Sequence, residues 1–168
     1  MTAMGTNPRF IRTLLFSVLL FFGGLPAFAQ PQLPQRTMTV EASQSLNFGK
    51  FCVTGNGGTV SVSDQGTPST SGGIVFLSGS TTHPAIFNVK LCPGRNVGIS
   101  FGGTTYLTDG GSGSMALTID STDPDLNLLT TSDCNFISQV RVGGTLSVPG
   151  GAPVGIYSGH FNITFTQE

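Results

Sequence analysis

The chain has 168 residues, a formal net charge of −1, and only 9% charged residues, with seven Lys plus Arg against eight Asp plus Glu. The basic residues form no cluster, which excludes a nucleic-acid module. Two histidines, neither framed by a catalytic motif, leave little basis for acid–base chemistry.

Taken in chain order, Arg9 and Arg12 precede an uncharged apolar run, Leu14–Phe22, which Gly23, Gly24 and Pro26 interrupt. Ala27-Phe-Ala29 follows with small residues, so residues 1–29 read as a signal peptide cleaved between Ala29 and Gln30. The run is too short to cross ~30 Å of hydrocarbon comfortably. No second apolar run follows, so no stable membrane insertion is expected after cleavage. No cysteine stands at the cleavage site for lipid attachment. The expected destination is export, to the periplasm, the cell surface or the extracellular space. Cleavage would leave 139 residues carrying five basic and eight acidic side chains, a net of −3. That length suits one domain able to bury about two-thirds of its unfolded surface.

Residues 30–36 form a flexible Pro/Gln-rich lead-in, and residues 37–168 read as one β-domain. From Met38 the even positions turn apolar (Met38, Val40, Ala42, then Leu46 and Phe48), with Gln44 interrupting the series. Strands are predicted over Leu46–Val53, Gly58–Ser63, Gly73–Ser78 and Pro84–Leu91, then around Val97–Phe101 and Met115–Ile119. A closing hairpin is predicted between Ile137–Val148 and Gly155–Thr166. In its second arm Tyr157, Phe161, Ile163 and Phe165 share one parity, while Ser158, His160, Asn162, Thr164 and Thr166 share the other. Successive strand side chains point to opposite faces, so this arm has an apolar and a polar side. Short β-branched and aromatic runs, punctuated by Gly, Pro, Asn and Asp every ten or so residues, predict an all-β antiparallel sandwich or barrel. The nearest approach to a helix is a single short turn over Asp123–Leu129.

Most of the paired glycines read as turns or strand breaks, where positive φ is needed. Gly143-Gly144 differs, because it interrupts a strand pattern carried by Val140, Val142, Leu146 and Val148. A bulge or a close backbone approach is expected there.

Cys52, Cys92 and Cys134 allow one disulfide in an oxidising compartment. Cys52–Cys92 is the expected pair, since both close predicted strands, and Cys134 is left over in a polar loop. The rival pairing is Cys92–Cys134. Asp120, Asp123 and Asp125, with Asp133 nearby, are weak calcium candidates, because Asp123-Pro-Asp125-Leu-Asn127 alternates oxygens but lacks the central Gly and closing Glu of a calcium loop. His83 and His160 read as loop and surface residues, so no catalytic residue is assigned and no cofactor is expected. Sugar-binding modules stack rings on exposed aromatics. With no Trp in the chain and Tyr157 expected inward, Tyr106 is the one evident candidate, which weighs against a lectin.

Six segments taken in order carry a resemblance. They are Leu46-Asn-Phe-Gly-Lys-Phe51, Gly58-Thr-Val-Ser-Val62, Gly72-Gly-Ile-Val-Phe-Leu77, Pro84-Ala-Ile-Phe-Asn-Val89, Val142-Gly-Gly-Thr-Leu-Ser-Val148 and Gly155-Ile-Tyr-Ser-Gly-His-Phe-Asn-Ile-Thr-Phe165. Together they resemble the bacterial secreted family known as domain of unknown function 4402, which is itself similar to spore coat protein U and to chaperone–usher pilin subunits. The resemblance implies an immunoglobulin-like, pilin-like sandwich used as a surface or fibre building block. It implies a homo-oligomer or fibre joined through sheet edges, with a periplasmic chaperone as a further expected partner. Thr37–Phe48 would be the donor strand, with Met38, Val40, Ala42, Leu46 and Phe48 as its inward row; alternatively the segment is the chain's own first strand. Tyr157, Phe161, Ile163 and Phe165 would line the opposing core or groove. One departure stands out: pilin subunits carry an aromatic next-to-last residue for the chaperone, whereas Gln167 stands there here. The function expected is an exported, non-enzymatic structural or adhesive surface protein. The alternative is a monomeric secreted binding module for extracellular matrix or polysaccharide.

Overall fold

The structure is a computed structural model that describes residues 38–92, 95–130 and 137–167. The predicted signal peptide, the Ala29–Gln30 junction and the lead-in lie outside the described residues, as do Asp133 and Cys134. Among the described residues every regular element is a strand and every pairing is antiparallel.

The longest strand, β9 (Ile137–Pro149), organises the larger sheet. One of its edges pairs with β7 (Ser114–Asp123). Its other edge pairs first with β4 (Ala85–Lys90) and then with β2 (Phe51–Val62). Beyond these lie β1 (Thr39–Gln44) on β4, β3 (Pro68–Phe76) on β2, and β6 (Thr105–Thr108) on β7, completing a seven-stranded sheet. A second sheet has the order β10–β5–β8, formed by Ile163–Gln167, Arg95–Phe101 and Asn127–Thr130. Neither sheet closes into a barrel, and the two fit a sandwich.

Alternation explains how β9 serves three neighbouring strands while filling the core. Val140, Val142, Leu146 and Val148 are all buried on one face. Gly143 and Gly144 are buried between them, where neighbouring backbone comes close. A Cβ at Gly143 would collide with the Val62 carbonyl oxygen and lie 2.6 Å from the Ser63 carbonyl carbon; one at Gly144 would lie 2.8 Å from the Thr118 oxygen. Opposite this pair the β7 register shifts between Ile119 and Ser121. The close approach expected at these glycines is therefore present, together with a bulge in the partner strand.

The core has two clusters. The first joins Val60, Val62, Ile74, Met115, Leu117, Leu146 and Val148 to Phe48. The second joins Ala85, Val89, Val140 and Val142 of the large sheet to Ile99 of the small one. Fully burying each Val or Leu side chain contributes about 1.5–3 kcal/mol. The small sheet covers only the second cluster. The first is sealed by partly buried side chains from irregular segments, Leu46 before β2, and Ala152, Tyr157 and Phe161 before β10. Phe161 reaches both clusters.

Several expectations are corrected. The closing hairpin does not form: β9 pairs with β2, β4 and β7, and the last strand is only Ile163–Gln167 and pairs with β5 in the other sheet. Both edges of β9 are already occupied, so the returning chain has no edge there to join. The Leu46–Val53 strand begins only at Phe51; the preceding residues make a single bridge, Asn47 with His83. The glycines of Thr54-Gly-Asn-Gly57 mark a bulge within β2 rather than a break between strands, since pairing with β3 resumes at Gly58 after a shift from Val53. β3 accordingly starts at Pro68, where a loop was expected. The helical turn expected over Asp123–Leu129 is instead a cis Asp123–Pro124 peptide leading into β8. β6 was not expected at all. Cys52 is an exposed free thiol, so the expected Cys52–Cys92 bridge is absent. It lies near the start of β2, paired with exposed Val75, whereas Cys92 follows β4 by two residues. Cys92 is disulfide-bonded.

Candidate functional site: sheet edges and a surface groove

β1 bonds to a single neighbour, β4, through Thr39–Lys90, Val40–Val89, Glu41–Asn88 and Ala42–Phe87, after which the register slips by one residue to Gln44–Ile86. That slip falls where Gln44 broke the apolar series. Burial divides the expected donor row. Phe48 is buried, Met38 and Leu46 are half-buried, and Val40 and Ala42 are exposed. The strand itself is exposed at five of its six positions. In this structure Thr39–Gln44 thus pairs with the chain's own β4 and adds little to the core. β3 and β6 are also outer strands of the large sheet, and exposed Val75 and Leu77 lie on β3 and just after it.

The aromatic row near the C-terminus is half-buried throughout. Tyr157 packs on the first cluster, Ile163 and Phe165 on the second, and Phe161 on both. Phe87 of β4 meets Phe161 edge-on at 6.2 Å and Phe165 at 5.8 Å, which ties the two sheets together through three rings. Ser158, His160, Asn162, Thr164 and Thr166 are all exposed.

Before β10 this segment runs from one sheet to the other. Thr108 N–H donates to the Ser158 carbonyl and Ser158 N–H to the Thr108 carbonyl, each at 2.9 Å. Four residues later Gly102 N–H donates to the Asn162 carbonyl, also at 2.9 Å. Between those anchors Gly159 lies so close to β6 that a Cβ would come within 2.7 Å of the Tyr106 oxygen and 2.8 Å of Leu107 Cδ2. The crossing leaves a groove of 540 Å³ lined by Thr105, Tyr106, Thr108, Ser158, Gly159 and His160. Tyr106 is 63% exposed, and Thr105 Oγ1 is buried without a hydrogen-bond partner.

The start of the crossing is fixed by Tyr157, whose hydroxyl donates to the Pro153 carbonyl at 2.8 Å. Burial, and secondarily the Asp109 carboxylate, raise this phenol above its ordinary pKa of 10.0. Asp109 itself shapes the β6–β7 turn, its Oδ1 accepting from Gly111 N–H at 2.8 Å and Gly113 N–H at 3.0 Å. Between Pro153 and Tyr157 the chain projects Val154 and Ile156 into solvent, the latter 90% exposed.

The remaining candidates are dispersed. Asp120 accepts from Thr145 Oγ1 at 2.5 Å, and Asp123 from Gln65 Nε2 at 2.9 Å. Among the described residues no three His, Cys, Asp or Glu side chains gather as metal ligands. His83 pairs backbone to backbone with Asn47, its ring Nε2 lies 3.4 Å from Asn47 Nδ2, and Nδ1 is buried without a partner. Among the described residues no helix is long and apolar enough to cross a membrane.

The family model for Domain of unknown function (DUF4402) matches residues 38–166. The chain belongs to the DUF4402 family. The matched span of this DUF4402 domain runs from the residue before β1 to within β10, so it takes in both sheets and the groove. No curated protein and no solved structure matches the DUF4402 chain. Sequence reasoning had singled out Tyr106 and His160 separately. It missed their meeting, because β6 was not foreseen and the last segment was assigned to β9.

Proposed function

We propose that this DUF4402 domain is an exported, non-enzymatic structural or adhesive surface subunit, with an immunoglobulin-like, pilin-like sandwich that associates by strand pairing. The observation that carries the reading is β1, a six-residue outer strand bonded to one neighbour and exposed along nearly its whole length. Releasing such a strand sacrifices few buried contacts, and handing it to a second copy regains the same backbone bonds there. Exchange of an identical element is a low-cost route to oligomers, and strand addition supplies affinity through backbone hydrogen bonds. Fibre growth follows if each copy gives its β1 to the next. A periplasmic chaperone would then guard the vacated β4 edge during export.

Light scattering on the purified mature protein, with negative-stain microscopy, tests the reading. Concentration-dependent ladders or fibres that disappear when Val40 and Ala42 are both replaced by proline are expected. A strictly monomeric wild type at high concentration would retire it.

A second reading, a self-contained secreted binding module for matrix or polysaccharide, is favoured by the groove between β6 and the crossing segment.

A further inference from the structure

We infer that the groove formed by β6 and Ser158–His160 is a binding site for a neutral saccharide, an inference that deepens the second reading above and is independent of strand exchange. Its volume of 540 Å³ lies in the range of small-ligand sites, about 300–1,000 Å³. The lining selects the ligand. None of the six residues carries a fixed charge, so nothing there favours a phosphate, sulfate or carboxylate. Tyr106, Thr108 and Ser158 bring hydroxyls, and His160 brings an imidazole, groups that both donate and accept. Sugar hydroxyls have the same dual character, whereas an apolar ligand would leave these groups unpaired.

Tyr106 supplies what hydroxyls cannot. It is 63% exposed, although such a large ring gains by burial, and it stands at the wall of the groove as a platform for the apolar face of a pyranose.

The walls are also held in place without a ligand. The paired 2.9 Å bonds between Thr108 and Ser158 fix one end, the Gly102–Asn162 bond fixes the other, and Gly159 permits the close approach between them. Preorganisation of this kind lowers the ordering cost of binding.

The test is titration of the ¹⁵N-labelled mature protein with methyl glycosides of glucose, galactose, mannose and N-acetylglucosamine, and with their β-linked disaccharides, followed by amide chemical shifts. Saturable shifts are expected for at least one probe, concentrated at Thr105–Thr108 and Ser158–His160. Tyr106→Ala should weaken that binding about tenfold while leaving the melting temperature unchanged. Val75→Ser, on a separate strand, should leave it intact. Absence of saturable shifts with every probe, shifts centred elsewhere, or unaltered binding by folded Tyr106→Ala would each overturn the assignment. Run at a concentration where light scattering shows monomer, the titration reads sugar binding separately from fibre formation.

Discussion

Tyr157 joins a local clamp to a core contact. Its bond to the Pro153 carbonyl closes a short loop, and its ring seals the first core cluster. Tyr157→Phe should keep the seal and lose the clamp, giving a folded protein with a lower melting temperature. The phenol also sets a pH dependence. Because its folded pKa is raised above 10.0, the fold favours the protonated form. Its contribution is therefore fully present below pH 10.0 and is lost as pH rises through the higher folded value. Melting curves taken at increasing alkaline pH should fall more steeply for the wild type than for Tyr157→Phe. Parallel slopes would remove this account.

The same scale governs Phe161 and Gly143. Phe161→Asp would put an unpaired charge among apolar side chains of both clusters and should cost at least ~3 kcal/mol, abolishing soluble folded protein. Gly143→Ala would drive a methyl into the Val62 carbonyl and should cost about 1–3 kcal/mol by overpacking, read from chemical denaturation. Both sites were legible in the sequence: the parity of Tyr157, Phe161, Ile163 and Phe165 separates half-buried from exposed side chains in the structure, and the Gly-Gly interruption marks a tight approach.

At the level of elements the sequence was informative about faces and poor about neighbours. Period-two alternation states which way a side chain points, whichever strand lies alongside. It placed the inward row of β9, yet gave no hint that β9 is flanked on both edges by earlier strands. β6 escaped notice because four residues, Thr105–Thr108, are too few to establish a pattern. The candidate groove escaped with it. β1 makes the element-scale prediction. Deleting residues 30–44 removes a strand exposed at five of six positions, so the remaining chain should still unfold cooperatively, with only a modest fall in melting temperature. It should also lose any self-association and bind a synthetic peptide of residues 36–44. Loss of cooperative unfolding would instead make β1 integral to the sandwich.

For the whole molecule, the cysteines supply the next constraint. Cys52 is a free thiol on the outer pair β2–β3, and Cys92 is disulfide-bonded near the start of the small sheet. We propose the rival pairing, Cys92 with Cys134, which peptide mapping without reduction would detect as a single crosslinked fragment. Cys92→Ser should then destabilise by ~2–4 kcal/mol, while Cys52→Ser should be nearly neutral. Strand ends alone could not decide the pairing, because bridge formation depends on which strands lie side by side.

The seal over the first cluster has a consequence for biogenesis. Val60, Val62, Met115, Leu117, Leu146 and Val148 belong to strands that precede Tyr157 and Phe161, two of the side chains that shield them. A chain that stopped short of those two rings would leave part of this inner face open, so close packing of the first cluster waits on the last stretch of the sequence.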